Sequence, residues 1–351
     1  VKVKLGYPIT VPPRTQVQTP LISVIVICYN YGNFLDDCLR SLSRQTIAHL
    51  IEVIVIDPDS IRHKAKAREA IAKYKDSINV RSVKRESRHL LGCNRNYGAN
   101  LANAPFLAFL DADDQVHCSF YELALFKILF RKADIVGAGH LRQVDKTTSF
   151  SRARGMHKRP DSKLVQIDNV FGSQALIDKK IMLTIGGFCD TGLGEKLIYE
   201  DWRFFHRAIL AGAKGYNLPA DLILYRIHAA SQSNAGGIPS INLQRKFIQN
   251  ANADVVTGNL LRSRQAAVPK LRKKMLRNLF IQGVFAKSSI DINPIVGTLN
   301  SRDPNRWAVR FGISGAPIIW ALGVRDGILY LALRLAYHSM TTANSLFRIG
   351  R

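Results

Sequence analysis

Five apolar residues, Phe106–Leu110, stand between Pro105 and three closely spaced carboxylates, Asp111, Asp113 and Asp114. The run is too short for a buried helix and shows no polar alternation, so it reads as a strand covered on both faces. Such strands belong to open α/β sheets, where ligands sit just beyond the carboxyl ends of the strands. Two carboxylates at i and i+2 can approach one hard cation, and Mg²⁺ or Mn²⁺ is commonly held by one or two carboxylates plus substrate phosphates. Taken by itself, D-x-D is more often a solvated acidic turn. The rest of the chain decides.

Before this strand the sequence alternates. Leu21–Ile27 (L-I-S-V-I-V-I) is a continuous β-branched run and reads as a buried parallel strand, followed by the loop Cys28–Gly32. Asn33 is placed to cap a helix over Phe34–Gln45, where Phe34, Leu35, Cys38, Leu39 and Leu42 recur at helical spacing. Val53–Ile56 is a second strand ending in Asp57-Pro58-Asp59-Ser60, Ile61–Tyr74 a basic helix, Asn79–Val83 a third strand, and Asn94–Ala102 a short helix. Alternation of this kind implies a parallel sheet with covered faces and right-handed crossovers. Asp57, Asp59 and the Asp111 cluster then share one rim.

Further along, Phe120–Phe130 reads as a helix and Ile135–Ala138 as a short strand. Ser151–Lys163 is basic, carries Gly and Pro, and reads as a mobile segment. Ile181–Phe188 ends in the turn Gly186-Gly187. A polar loop leads to Tyr199-Glu200-Asp201-Trp202 and a helix that stops at Gly212. Acids in a first helical turn have a structural explanation in the helix dipole. Leu222–Tyr225 is a strand with His228 just past its end; a single histidine there is ordinarily a surface or hydrogen-bonding residue.

Charge divides the chain. Of 351 residues, 50 are Lys or Arg and 26 are Asp or Glu, a net charge of +24. Residues 21–115 are nearly balanced, with 13 basic against 11 acidic side chains, whereas residues 236–351 hold 17 basic and 4 acidic ones. Three regions follow: residues 1–20 as an extended lead-in, 21–235 as the α/β domain, and 236–351 as a basic, mainly helical region after the hinge Gly236–Pro239. Within the last, Lys270–Arg277 (K-L-R-K-K-M-L-R) and the broken apolar stretch Ile313–Tyr337 suit an anionic membrane surface or a helical cap with a solvated basic face. No apolar run reaches the roughly 18 residues of a spanning helix. Five dispersed cysteines without C-x-x-C fit reduced thiols in a cytoplasmic protein, one able to sit at the cytoplasmic membrane face. The opening Val1-Lys2-Val3-Lys4 is no secretory signal and reads as a trimmed start or as a cut from something longer.

Taken in order, S-V-I-V-I-C-Y-N, N-R-N-Y-G-A-N, F-L-D-A-D-D, G-G-F, E-D-W and Y-R-I-H-A-A-S resemble the inverting family-two glycosyltransferases of the GT-A fold over about Leu21–Ser233. The resemblance implies a Rossmann-like, mostly parallel sheet with helices on both faces. It assigns Tyr29, Asn30 and Asp57 to the nucleotide, and Arg95 to the neighbourhood of the diphosphate and donor sugar. Asp111 and Asp113, with Ala112 between them, match the ribose and metal carboxylates, Asp113 making the more direct metal contact. His228 matches the late histidine that joins the metal or diphosphate, and Asp201 the general base. Glu200 stands beside that base, where like-charge repulsion would raise its pKa. Trp202 and Gly187 fall on the acceptor side, Trp202 as a stacking platform or as core.

The implied activity is metal-dependent transfer, with Mn²⁺ or Mg²⁺, from a nucleotide sugar, commonly a UDP-sugar, to a glycan or lipid-linked acceptor. Departures are visible. The family's D-D-G-S is here Asp57-Pro58-Asp59-Ser60, which leaves the role of Asp59 open. The Q-x-x-R-W of processive synthases is reduced to Arg306-Trp307 with Asp303 in place of Gln, so a non-processive or short-product enzyme is expected. Two other readings stand beside it. A sugar-1-phosphate nucleotidyltransferase would need a Gly-rich basic loop after the first strand, and Cys28–Gly32 has one Gly and no base. A nucleic-acid-binding protein is suggested by net charge, but nucleic acid is not the expected partner.

Overall fold

The apolar runs set the architecture by alternation. Val24 and Val26, Val53 and Val55, and Ala108 and Leu110 face one apolar layer, while Ile25 and Ile27, Ile54 and Ile56, and Leu107 and Phe109 face another. Strands covered on both sides in this way form the centre of the molecule. The computed structural model describes residues 19–58, 63–85, 90–131, 133–144, 150–152, 159–188, 200–229 and 231. Residues 1–18 of the expected lead-in 1–20, Asp59 and the expected basic region 236–351 lie outside the described residues.

In chain order the strands are β1 (Ile22–Ile27), β2 (Ile51–Pro58), β3 (Asn79–Arg85), β4 (Phe106–Asp111), β5 (Gln115–Val116), β6 (Ile135–Val144), β7 (Phe150–Arg152), β8 (Leu176–Asp178) and β9 (Gly215–Ile227). The helices are α1 (Leu35–Ser43), α2 (Lys64–Tyr74), α3 (Leu91–Leu101), α4 (Phe120–Arg131), α5 (Lys179–Ile185) and α6 (Glu200–Leu210). Among the described residues the strands make one sheet in the order β3-β2-β1-β4-β8-β6-β9-β5, with β7 on β6. The β3-β2-β1-β4 half is parallel throughout. β8 runs against β4 and β6, and β9 lies parallel to β6. β1, β2, β4 and β9 therefore all end at one rim. Asp111 pairs in register with Ile27, which itself pairs with Ile56, so Asp57 begins the same rim on β2.

The expected elements of the first half are present, with shifted boundaries. Asn33 does not cap α1: Phe34 is the boundary residue, in helical backbone and without a side-chain cap bond. Larger differences lie in the second half. The strand expected at Leu222–Tyr225 spans 13 residues and carries Pro219. The pairing explains the proline: Leu218 opposes Ala138 and Asp221 opposes Gly139, so Pro219 sits in a bulge where no ladder donor is required. β6 is likewise longer than Ile135–Ala138, because β9 gives it a partner along its whole length. α3 packs close on β1; a Cβ built on Gly98 would lie 2.4 Å from Cγ2 of Ile25.

Candidate active site at the strand-end rim

Just beyond β4 the chain turns sharply, with Ala112 N donating to Ile27 O and Asp114 N to Asp111 O. The turn leads into β5, which pairs with Ile223 and Leu224 of β9. Asp114 tightens that junction. Its Oδ1 accepts the backbone N–H of Arg226 at 3.0 Å and its Oδ2 accepts Nε2 of Gln174 at 2.5 Å. β9 is thereby sewn to the acidic turn, and His228, one residue past its end, comes within 3.1 Å of Asp113 Oδ2 through Nε2. The pairing of these two residues, 115 positions apart, is a consequence of β5.

His228 is held from behind. Its ring stacks on Phe34 at 4.5 Å and meets the edge of Tyr31 at 5.4 Å, and its backbone N–H donates to Ser231 Oγ. Phe34 in turn lies under the guanidinium of Arg226, which pairs with Asp37 at 2.8 Å. Asn30, at the β1 end of the rim, has φ 60°, a left-handed conformation that Asn tolerates better than most residues. Tyr29 is half-buried beside it.

A second cluster joins the rim to α6. Arg95, projecting from α3, is 1 % exposed. Its Nη1 pairs with Glu200 Oε1, and its Nη2 reaches Asp111 Oδ1 at 3.2 Å. Asp201, the next residue, accepts Nδ2 of Asn169 at 3.1 Å and the N–H of Trp202 at 2.7 Å. The late acidic pair and the D-x-D strand, 89 positions apart from Asp111 to Glu200, are thus bridged by one buried guanidinium. This bridge was not evident in the motifs.

Burial dominates the electrostatics. Desolvation, with repulsion from Asp111, pushes Asp113 up to about 6, against the opposing pull of His228. Asp114 is raised by burial and by its two acidic neighbours. Glu200 is pushed up to about 7 by desolvation, although Arg95 pulls it down. Asp201 is raised by burial, with Arg95 and Asn169 acting in the opposite direction. Arg95 stays protonated because Asp111 and Glu200 outweigh its own desolvation.

Of the expected residues, Asp111, Asp113, His228, Arg95, Glu200 and Asp201 converge. Ala112 is fully buried in the turn. Asp57 lies in β2 at the rim by register. Two acceptor-side expectations are corrected, Trp202 in favour of its core alternative and Gly187 in favour of the turn alone. Trp202 is 1 % exposed and its Nε1 donates to Val165 O at 2.7 Å, so its ring is core and offers no face to a ligand. Gly187 is buried with φ 74°, its N–H on Met182 O and its carbonyl on Arg207, and a Cβ there would sit 2.5 Å from Asn96 Oδ1. It is a turn residue. Asn169 and Gln174 carried no signal in the sequence, and Phe34 and Arg226 were legible only as a helix position and as part of a motif, because each acquires its partner only through tertiary pairing.

Known proteins bear on this geometry. TarS 1–349 of S. aureus in complex with UDP-GlcNAc superposes with a TM-score of 0.53 at 15 % identity, covering 94 % of this chain and 92 % of that one; at that identity the likeness concerns the fold, which is GT-A. The glycosyltransferase EpsJ of Bacillus subtilis (strain 168) is 31 % identical over 124 residues, 35 % of this chain and 35 % of that protein. The validoxylamine A glucosyltransferase of Streptomyces hygroscopicus subsp. jinggangensis is 38 % identical over 101 residues, 28 % of this chain and 23 % of that protein. The chain thus aligns with about a third or less of the length of these curated relatives. The family model described as "Glycosyl transferase family 2" matches residues 23–190, from β1 past the D-x-D turn to the Gly-Gly turn. Over residues 23–190, a little under half of the chain, the sequence is similar to that family.

Proposed function

We propose that the chain is an inverting glycosyltransferase that moves a sugar from a nucleotide donor to a glycan or lipid-linked acceptor. The observation that carries the reading is the bridge from the end of β4 to the start of α6, which brings Asp111, Glu200 and Asp201 together around Arg95. A UDP-sugar is the favoured donor, supported by the UDP-GlcNAc in the TarS complex whose fold this chain shares.

On this reading Tyr29, Asn30 and Asp57 hold the nucleoside at the ends of β1 and β2, and Asp111 faces the donor from β4. An acceptor hydroxyl is a poor nucleophile, so a placed carboxylate takes its proton as it attacks the anomeric carbon. Asp201 Oδ2 is suited to this: its hydrogen bond from Asn169 fixes its direction, and its raised pKa makes it a stronger base. With one base and no enzyme nucleophile, displacement is single and the anomeric configuration inverts.

The residues present fit a divalent cation. Asp113 Oδ2 and His228 Nε2 stand 3.1 Å apart, close to the roughly 3 Å between adjacent ligands of an octahedral ion bound at about 2.1 Å. Among the described residues no third His, Cys, Asp or Glu completes a protein cage, which suits an ion sharing its remaining positions with substrate phosphates and water. Burial first, and repulsion from the neighbouring acids second, hold the carboxyls of Asp113 and Asp114 above the usual range, and a cation bound there would offset both. Bound there, it would neutralise charge developing on the diphosphate.

The test is release of nucleoside diphosphate from a panel of nucleotide sugars, with and without Mn²⁺, followed by NMR assignment of the product's anomeric configuration. Turnover of one donor with inversion is expected. A product of retained configuration would reject the single-displacement reading, and no turnover of any donor would reject the activity.

A further inference from the structure

Arg95 is in an unusual position for a residue that meets a substrate. Its side chain is 2 % exposed, both Nη atoms are engaged by carboxylates, and its Nε is buried without a hydrogen-bond partner. The guanidinium also sits 5.4 Å from the centre of the Phe188 ring, which covers one of its faces. Of the two carboxylates it holds, Glu200 is 9 % exposed and Asp111 is 28 % exposed. A ligand arriving at the rim therefore meets Asp111, with Arg95 behind it.

The elements involved give this arrangement its consequence. Arg95 comes from α3, which packs on β1 and β2; Asp111 ends β4; Glu200 opens α6, immediately before Asp201. α3 is also tied to the turn after α5, because Asn96 Nδ2 donates to Phe188 O and Asn96 Oδ1 accepts Phe188 N–H, both at 2.8 Å, and the Phe188 ring stacks on Phe204 of α6 at 4.4 Å. The base-bearing end of α6 is thus registered against the donor-bearing strand through one planar fork. A guanidinium fixes two carboxylates at once in a geometry that an ammonium cannot reproduce.

We propose that Arg95 and Glu200 form a buried strut that sets the distance between Asp201 and the Asp111 end of β4, so that Arg95 serves transfer as a positioning residue and does not touch the leaving group. The inference rests on the transferase reading. It places Glu200 outside proton transfer, leaving that step to Asp201, and gives the acidic pair two separate duties: one member anchors and the other reacts.

Steady-state kinetics and UDP calorimetry on Glu200→Gln, Arg95→Lys and the double variant test it, using the donor on which the wild type is most active. Arg95→Lys keeps the charge and removes the fork; Glu200→Gln keeps the shape and removes the charge. Misplacement by about 1 Å costs on the order of 10²-fold in rate, so each single variant should lose roughly 10–100-fold in kcat. Donor KM and UDP Kd should stay within about twofold, because the lost interaction is not made to the substrate. Residues acting as one unit are non-additive, so the double variant should be no slower than the slower single one. A tenfold or larger rise in UDP Kd for Arg95→Lys, or multiplicative losses in the double variant, would overturn the strut while leaving the transferase reading intact. A wild type that turns over no donor would remove both.

Discussion

Asp201 is the residue on which the chemistry of the proposal rests, and it separates two roles. A residue at the start of a helix interacting with the dipole is worth about 0.3–1 kcal/mol of stability and nothing in rate. A general base is worth about 10²–10⁴-fold in kcat. Asp201→Asn should therefore cut transfer by about that factor while nucleotide affinity, measured by calorimetry on the same preparation, stays nearly unchanged. Because its pKa is raised, kcat should rise with pH through a limb above the ordinary aspartate range, and that limb should vanish from the residual rate of Asp201→Asn. The partner pair Asp113 and His228 makes a different prediction. Asp113→Asn and His228→Ala should each raise the Mn²⁺ concentration needed for half-maximal activity, read by titration; unchanged demand in His228→Ala would return the histidine to a purely structural role. Trp202 shows what residue type and spacing could not tell. It stands next to the base in sequence, yet the helix turns its ring inward onto Val165. By contrast Asp111 and Asp113 were legible, because acids directly after a fully apolar run can lie only at a strand end.

At the scale of elements, α6 carries a second buried group. His206 is 0 % exposed, neither ring nitrogen has a hydrogen-bond partner, and desolvation lowers its pKa to about 4. The unfolded chain, with an ordinary histidine near 6.5, binds more protons between pH 6.5 and 4, so this residue's contribution is complete above about 6.5 and is lost as pH falls towards 4. Glu200 acts in the opposite sense: its pKa of about 7 lies above the unfolded value, so its contribution is complete below about 4.5 and is lost as pH rises through 7. The two are separated by comparison. The difference in urea midpoint between wild type and His206→Phe should change between pH 7 and pH 5 in favour of the variant at the lower pH. The contact between α3 and β1 gives a simpler expectation. A methyl at Gly98 meets Ile25 Cγ2 at 2.4 Å, so Gly98→Ala should cost about 1–3 kcal/mol of overpacking in the same urea titration. Elements with both faces buried were readable in advance because they are uninterrupted apolar runs. β5 and β8, with two and three residues, have no pattern to read, and β9 hid its length behind Pro219.

Among the described residues no helix is long and apolar enough to cross a membrane; residues 236–351 hold 17 basic and 4 acidic side chains. We propose that this basic region rests on anionic lipid, which suits a lipid-linked acceptor. Each Lys or Arg near such a surface is worth about 1 kcal/mol, so Lys273→Glu with Lys274→Glu in the full chain should sharply reduce flotation with acidic liposomes while neutral liposomes recover neither protein. Equal flotation of the two chains on acidic liposomes would remove the membrane role.

The sewing of β9 to the acidic turn also fixes an order of events during synthesis. β1 to β4 follow one another in the chain and pair in parallel with one another, so they can begin to assemble while β8, the later partner of β4, is still being translated. Asp113 meets His228 only after β9 has emerged and paired with β5, 115 residues later. A nascent chain thus exposes a strand-end rim that lacks both His228 and Asp201. On the proposed reading, such a chain can hold a donor but cannot discharge it, and transfer waits until β9 closes the rim.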